Sequence, residues 1–138
     1  MKKKLNCILL IDDDDAINFI HEWVINKVGC AEKVEKVENG IEALEYLESA
    51  KDGKYPQPDL IFLDVNMPRM NGWEFLEEYH KLDESKKGKI ILVMLTSSLN
   101  PADIARSKNI VEVNDFKNKP LTIELMQDIL KEYFEDYL

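Results

Sequence analysis

The chain has 138 residues, of which 45% are hydrophobic and 33% are charged, a balance typical of a folded globular protein. Its formal net charge of −9 argues against nucleic acid as a direct partner, because phosphate binding needs clustered Lys and Arg. No apolar stretch approaches the ~20 residues that span a bilayer, and the one after the initial lysines is too short for a signal peptide. Cys7 and Cys30 are too few for a disulfide scaffold or a metal cluster. These observations predict a cytoplasmic protein.

Five strand-like segments alternate with helix-like segments along the chain. Three of them are continuous apolar runs, as expected for strands buried on both faces, and the second is a short edge strand. The predicted strands cover residues 5–11, 32–38, 59–65, 89–97 and 109–116. This alternation predicts an α/β fold, (βα)5, in which helices cover both faces of a parallel sheet. We expect one domain over residues 1–138, with its core at about 5–137.

The predicted helices begin and end at recognisable capping residues. In the first helix, apolar residues recur at helical spacing, namely Ile17, Ile20, Val24 and Val28. Gly29 follows as a stop. The next helices begin at Asn39-Gly40, at about Gly72 and at Asn100-Pro101, where Asn suits the N-cap and Pro the first helical position. The last helix is predicted from Leu121 to Tyr137.

Four consecutive aspartates, Asp12 to Asp15, stand between the first strand and the first helix. Neighbouring carboxylates ~4 Å apart repel each other by on the order of 4 kcal/mol at an effective dielectric constant of about 20. A carboxylate at a helix start is stabilised, because it accepts hydrogen bonds from free N–H groups and faces the positive end of the helix dipole. We therefore assign Asp14 and Asp15 to capping, and Asp12 and Asp13 to the strand end.

Polar residues also stand at the carboxyl ends of other predicted strands. Asp64 ends the third strand, Thr96 ends the fourth, and Lys119 follows the fifth. Ligands of open parallel sheets bind at this edge, so these side chains and Asp12–Asp13 are expected to share one pocket. Three carboxylates form the hard oxygen site that Mg²⁺ prefers. A carboxylate beside a divalent cation, a lysine and a hydroxyl is suited to attack a phosphoryl group, which would end as an aspartyl phosphate.

Other catalytic patterns are missing from the sequence. No Gly-rich phosphate loop precedes a helix, so a bound nucleotide is not expected. No Ser-His-Asp or Cys-His arrangement is present. His21 and His80 fall within predicted helices, away from the strand ends.

The segment "DVNMPRMNG" (64–72) matches the D-x-x-M-P-x-M-[DN]-G pattern of response-regulator receiver domains. The acidic pair, "LTS" (95–97) and "KP" (119–120) occur in the order and strand context of that family. The chain resembles the single-domain, chemotaxis-regulator type of receiver over residues 5–137. The resemblance implies a flavodoxin-like fold with strand order 2-1-3-4-5. It also implies a phosphoacceptor in a two-component system or phosphorelay, without an output domain.

By this resemblance, Asp64 would be the phosphoacceptor. Asp13 and Asp64 would bind Mg²⁺ directly, and Asp12 would hold coordinated water. The backbone carbonyl of Asn66 would be a further ligand, and Mn²⁺ could replace Mg²⁺.

The resemblance also assigns roles to residues near the last two strands. Thr96 and Lys119 would each contact a phosphoryl oxygen, and the Lys119-Pro120 bond would be cis. Phe116 falls at the aromatic switch position of the family and would respond together with Thr96, although plain core packing is its alternative role.

A histidine kinase or a His phosphotransfer protein would donate the phosphoryl group, and an unidentified downstream protein would respond to it. Turnover of an external substrate, direct contact with nucleic acid and membrane insertion are not expected. Two alternatives remain. The chain could be a receiver cut from a longer regulator, or it could be an Mg²⁺-dependent phosphohydrolase. Phosphohydrolases of the haloacid-dehalogenase type need a second Asp two residues after the nucleophile, where this chain has Asn66.

Overall fold

The computed structural model describes residues 1–87 and 89–138, and in that part of the chain strands and helices alternate. The strands are β1 (Ile8–Ile11), β2 (Val34–Val37), β3 (Leu60–Asp64), β4 (Ile91–Thr96) and β5 (Asp115–Asn118). The helices are α1 (Asp15–Val28), α2 (Gly40–Leu47), α3 (Gly72–His80), α4 (Glu84–Lys87), α5 (Pro101–Lys108) and α6 (Ile123–Tyr133), followed by a 3-10 turn (Glu135–Tyr137). Among the described helices, none combines the length and apolarity needed to cross a bilayer.

The five strands form one parallel sheet in the order β2-β1-β3-β4-β5. This order confirms the predicted flavodoxin-like topology. Because β1 lies between β2 and β3, the chain reverses its direction of winding after β2, and the crevice of such sheets lies at that point. The residues that follow β1 therefore stand beside the end of β3.

The core consists of two apolar layers, one on each face of the sheet. Alternate residues of the same strand enter opposite layers, as Leu10 and Ile11 do. One layer contains α1 and α6, and the other contains α2 and α3. The central strands are buried on both sides, and each fully buried Leu, Ile or Phe side chain contributes about 1.5–3 kcal/mol. This packing makes the edge of the sheet a rigid support.

The structure corrects the predicted bounds of the last strand. Residues 109–116 were predicted as a strand, but β5 covers Asp115–Asn118 and residues 109–114 form a loop after α5, with a turn at 111–112. Ile110 and Val113 pack against the core from this loop, which explains the strand-like apolar spacing. The Asn114 side chain accepts a hydrogen bond of 2.8 Å from the Leu92 N–H, where a strand residue would otherwise pair.

Helix α1 begins and ends as predicted, but its inner face differs from the prediction. Asp14 is the N-cap, and its side chain accepts hydrogen bonds from two backbone N–H groups of the first turn. Ile20 was expected to face inward and is instead 44% exposed. The buried residues are Asn18, His21, Val24 and Ile25. Polar residues face inward here because this part of α1 lies against backbone groups at the end of β1 and before α6.

Three smaller differences concern element lengths. β1 begins at Ile8 instead of residue 5, and Leu5 forms only an isolated bridge with Ala31. Helix α6 begins at Ile123 instead of Leu121 and ends at Tyr133 instead of Tyr137, and the chain continues as the 3-10 turn. The short helix α4 was not predicted. None of these differences moves a residue at the carboxyl edge of the sheet.

Candidate acidic site at the carboxyl ends of the strands

Three carboxylates meet at the edge of the sheet. Asp12 follows β1 directly, Asp13 is the next residue, and Asp64 is the last residue of β3. One carboxylate oxygen from each lies within 4.8 Å of the others. Asp12 and Asp64 are 4% and 7% exposed, whereas Asp13 is exposed to solvent. The pocket therefore has two shielded acids and one acid at its entrance.

Lys119 places its ammonium group between the two buried acids. Its Nζ atom lies 2.6 Å from Asp12 Oδ2 and 3.0 Å from Asp64 Oδ1. Burial lowers the pKa of Lys119, but the hydrogen bonds and charges of these acids more than offset that effect, so its pKa is raised. The backbone N–H of Lys119 donates to the Thr96 carbonyl at 2.7 Å. Lys119 is thus a charged group held at both its backbone and its side chain.

Asp64 occupies an environment that opposes its ionisation. Burial raises the pKa of Asp64, the hydrogen bond from Lys119 lowers it part of the way, and the nearby charge of Asp12 raises it again. A nearby cation favours the charged form of this carboxylate, and the charged carboxylate is the nucleophilic form. Lys119 supplies that charge in this structure.

The backbone after β3 approaches the next helix very closely. The Gly72 N–H donates to the Val65 carbonyl at 2.9 Å. A Cβ atom at Gly72 would lie 2.5 Å from the Asp64 carbonyl oxygen, so only glycine fits without displacing the strand end. Asn66, within this loop, is exposed, and its role as a carbonyl ligand stays a prediction.

Thr96 lies at the same edge, but its hydroxyl forms hydrogen bonds with the backbone of Ser98 and not with Asp64. It is 3% exposed, and its hydroxyl donates to the Ser98 carbonyl at 3.2 Å and accepts from the Ser98 N–H at 3.3 Å. The described contacts therefore join Lys119, but not the Thr96 hydroxyl, to Asp64. To donate to a group on Asp64, the Thr96 hydroxyl must give up its hydrogen bond to the Ser98 carbonyl.

Phe116 lies on β5 and packs against the start of α3. Its ring stacks on that of Trp73 with 6.4 Å between centroids and 13° between planes. The Arg106 guanidinium on α5 lies 4.5 Å from the Trp73 ring centroid. Phe116 is half-buried, so both packing and a switching role are compatible with its position. The Lys119-Pro120 peptide bond, three residues later, is cis, as the resemblance implied.

Two buried polar residues of α1 belong to this region although the sequence patterns did not single them out for it. Asn18 Nδ2 donates to the Asp12 carbonyl at 2.9 Å. His21 Nε2 accepts from the Leu121 N–H at 3.1 Å. His21 lies within a helix, as predicted, yet it lines the same small void as Asp12 and Asp64. Their three-residue spacing, in register with Ile25, is the signal that could have indicated an inward polar face.

The donor set fits a hard divalent cation. Asp12, Asp13 and Asp64 supply only carboxylate oxygens, which suit Mg²⁺ better than softer metals. The Lys119 ammonium already lies between two of these acids, so positive charge is accommodated at this place. The arrangement can therefore hold a cation beside a nucleophilic carboxylate.

Comparisons with known proteins agree with this geometry. The family model described as the response regulator receiver domain matches residues 8–131. Sporulation initiation phosphotransferase F of Bacillus subtilis is 30% identical over 127 residues, which cover 91% of this chain and 91% of that protein. Chemotaxis protein CheY1 of Helicobacter pylori is 27% identical, with 90% and 93% of the two chains covered. A crystal structure of a two-component response regulator from Cytophaga hutchinsonii superposes with a TM-score of 0.82 at 32% identity, covering 96% and 99%.

A five-stranded parallel sheet with clustered acids and a lysine at its carboxyl edge defines a phosphoacceptor-type α/β signalling domain. The chain belongs to the response regulator receiver domain family of two-component signalling.

Proposed function

We propose that this receiver domain accepts a phosphoryl group on Asp64 in an Mg²⁺-dependent step. The observation that carries the proposal is the ion pair between Lys119 Nζ and Asp64 Oδ1, 3.0 Å long, within a cluster of three carboxylates. The Lys119 ammonium favours the charged form of the buried Asp64 carboxylate, whereas burial and the neighbouring acids disfavour it. Asp12, Asp13 and Asp64 would hold the cation, and the backbone carbonyl of Asn66 would complete the set of protein ligands.

The donor is a phosphohistidine on a histidine kinase or a His phosphotransfer protein. A carboxylate oxygen of Asp64 forms a bond to phosphorus while the bond between phosphorus and the histidine nitrogen breaks, and that nitrogen keeps the electron pair. Lys119 stays within reach of the transferring oxygens, because its backbone is fixed to Thr96. Bound Mg²⁺ would stabilise the negative charge on those oxygens. The product is an aspartyl phosphate on this chain.

The added group changes the contacts of residues around Asp64. Lys119 moves from the carboxylates toward a phosphoryl oxygen. The Thr96 hydroxyl gives up its hydrogen bond to the Ser98 carbonyl and donates to another phosphoryl oxygen. Because Thr96 pairs with Asn118 in the sheet, this change is transmitted to β5, where Phe116 is located. A downstream protein would recognise the altered surface near α5 and β5.

We propose that this domain acts by contact with other proteins and not by turnover of an external substrate. Similarity over 91% of a protein named a sporulation initiation phosphotransferase supports a carrier in a phosphorelay. Similarity over 93% of a chemotaxis protein supports a regulator that works through contacts of the receiver itself. Both roles need the same phosphorylated aspartate.

The direct test is intact-protein mass spectrometry after incubation with acetyl phosphate and Mg²⁺. The wild-type chain should gain the mass of one phosphoryl group, and the Asp64→Asn variant should gain none. Asp15→Asn is the matched control, because Asp15 lies in the same acidic run but within helix α1. It should be phosphorylated as the wild type is. No mass gain in the wild type, or an equal gain in Asp64→Asn, would exclude the proposal.

A further inference from the structure

We propose that His21 is a positioning residue that keeps Lys119 within reach of Asp64 by fixing the backbone between β5 and α6. The proposal rests on the phosphoacceptor function proposed for Asp64 and deepens it. His21 is 2% exposed on the inner face of α1, and its Nε2 atom accepts a hydrogen bond of 3.1 Å from the Leu121 N–H. Leu121 follows Lys119 by only two residues, so the contact acts on the segment that carries the lysine.

The segment from Lys119 to Leu121 offers the backbone few ways to be held. Pro120 has no N–H group. Leu121 is 1% exposed, and a buried N–H without a partner costs about 1–3 kcal/mol. Thr122 begins the capping of α6, so Leu121 precedes the helical hydrogen bonds. The segment is thus held by Thr96 at Lys119 and by His21 at Leu121.

Helix α1 also holds the acid to which Lys119 binds. Asn18, one turn before His21, donates from Nδ2 to the Asp12 carbonyl at 2.9 Å. Asp12 Oδ2 lies 2.6 Å from Lys119 Nζ. Two side chains of one helix therefore fix the backbone on both sides of the same ion pair. A change in the His21 contact alters the position of the lysine relative to an acid that stays in place.

An acceptor at His21 Nε2 requires the neutral ring with its proton on Nδ1. Burial lowers the pKa of His21 to about 4, and Asp12 and Lys119 act on it in opposite directions, so the ring is neutral at physiological pH. A leucine would fill the same apolar space but would leave the Leu121 N–H without its acceptor. A glutamine can place its Oε1 near the position of Nε2 and accept the same hydrogen bond. This contrast separates positioning from simple packing.

The test compares His21→Leu with His21→Gln for the rate of phosphorylation by acetyl phosphate and Mg²⁺, at a temperature where both variants are folded. We expect His21→Leu to react on the order of ten- to a hundredfold more slowly, because small displacements of a positioned group have effects of this size. His21→Gln should retain most of the wild-type rate. Equal rates in all three proteins, or equal losses in both variants, would overturn the proposal.

A double-mutant cycle shows whether the effect passes through the lysine. In the Lys119→Ala background, His21→Leu should cause no further loss, because the group that it positions is already gone. Losses that multiply independently would contradict the proposal. Phosphorylation of the wild type in the same experiment tests the function of Asp64 separately, so failure of that function is distinguished from failure of the role of His21.

A measurement on the unmodified protein covers the case in which a variant does not fold. Nitrogen NMR of the imidazole distinguishes a ring with an unprotonated Nε2 atom from one with a protonated Nε2 atom. An unprotonated Nε2 that accepts the Leu121 N–H, together with a slowly exchanging Lys119 ammonium, supports the proposal. A protonated Nε2 would exclude it, because that atom could not accept the hydrogen bond.

Discussion

The rings of Phe116 and Trp73 stack almost parallel, with 6.4 Å between their centroids. This contact joins β5, the strand before Lys119, to the first turn of α3, which begins directly after the loop that follows Asp64. Phe116 lies three residues before Lys119, and Trp73 lies in the helix that follows the loop after Asp64. A change of Lys119 or Asp64 should alter the surroundings of the Trp73 indole.

Phosphorylation should therefore change the fluorescence of Trp73. Trp23 is 51% exposed on α1 and gives a background signal, so the measurement uses Trp23→Phe. Addition of acetyl phosphate and Mg²⁺ should alter the emission of this variant, because Phe116 moves relative to the indole. Trp73→Phe is the matched control and should show no comparable change. A change in the emission of Trp73→Phe, but not of Trp23→Phe, would show that the stacking contact does not respond to phosphorylation.

Substitution of Asp13 should impair phosphorylation and Mg²⁺ binding much more than substitution of Asp15. Asp13 has a carboxylate oxygen in the acidic cluster, whereas Asp15 lies in the first turn of α1. Asp13→Ala should slow phosphorylation by at least about tenfold, equivalent to ~1.4 kcal/mol, and weaken Mg²⁺ binding in calorimetric titration. Asp15→Ala should change both by less than about twofold, because only a dipole contact is lost. Equal losses would mean that Asp15 contributes to the metal site as much as Asp13 does.

Lys119→Ala should destabilise the metal-free protein much more than the metal-bound protein. Without the ammonium, Asp12 and Asp64 remain buried and uncompensated, and breaking a buried ion pair costs about 3–5 kcal/mol. A bound divalent cation would replace the lost charge. Urea unfolding in EDTA and in Mg²⁺ measures the difference.

Lys117→Ala is the control for this measurement. Lys117 pairs with Asp115 at 3.6 Å on β5, where both side chains are partly exposed, and such surface pairs contribute at most about 1 kcal/mol. Lys117→Ala should lower the free energy of unfolding only slightly, and by the same amount in EDTA and in Mg²⁺. A Lys119→Ala effect that is likewise independent of metal would contradict a shared cation position.

His21 should make the protein less stable as the pH falls from about 6.5 to about 4. Its pKa is about 4 in the folded chain, below the ordinary value of 6.5, so the unfolded chain binds the proton more readily in this range. The free energy of unfolding should therefore fall with falling pH, by about 3 kcal/mol over the whole range. The contribution is fully present above pH 6.5.

The comparison with His21→Gln isolates this contribution in metal-free buffer. The variant has no group that titrates at position 21. The free energy of unfolding of the wild type, minus that of the variant, should therefore fall as the pH falls. Asp64, whose pKa burial raises, acts with the opposite sign, but it is present in both proteins and cancels. A constant difference between pH 4 and pH 7 would show that folding does not lower the pKa of His21.

Much of the fold and site follows from local sequence patterns. Continuous apolar runs predicted the central strands, and the rule that ligands bind at the carboxyl edge of a parallel sheet predicted that Asp12, Asp64 and Lys119 lie together. The motif at 64–72 then indicated the family. These features are predictable because each depends on a few neighbouring residues.

Features that depend on distant contacts were not predictable in the same way. The bounds of β5 were wrong because Ile110 and Val113 are apolar for packing from a loop and not for pairing in the sheet. The polar inner face of α1 was missed because His21 serves a backbone N–H one hundred residues away, at Leu121. A hydrophobic pattern cannot indicate a buried polar residue whose partner is that far along the chain.

The charges in the acidic pocket have a consequence for how a partner could recognise the modified domain. Asp12, Asp13 and Asp64 together with Lys119 carry a formal charge of −2, which one divalent cation would balance. A phosphoryl group carries about −1.5 to −2 at neutral pH and replaces the single charge of Asp64, so the net change is about one unit or less. At physiological salt, such a change is screened within about 8 Å. Both forms should therefore attract partners from a distance almost equally, and discrimination between them must come from the shape of the surface after contact.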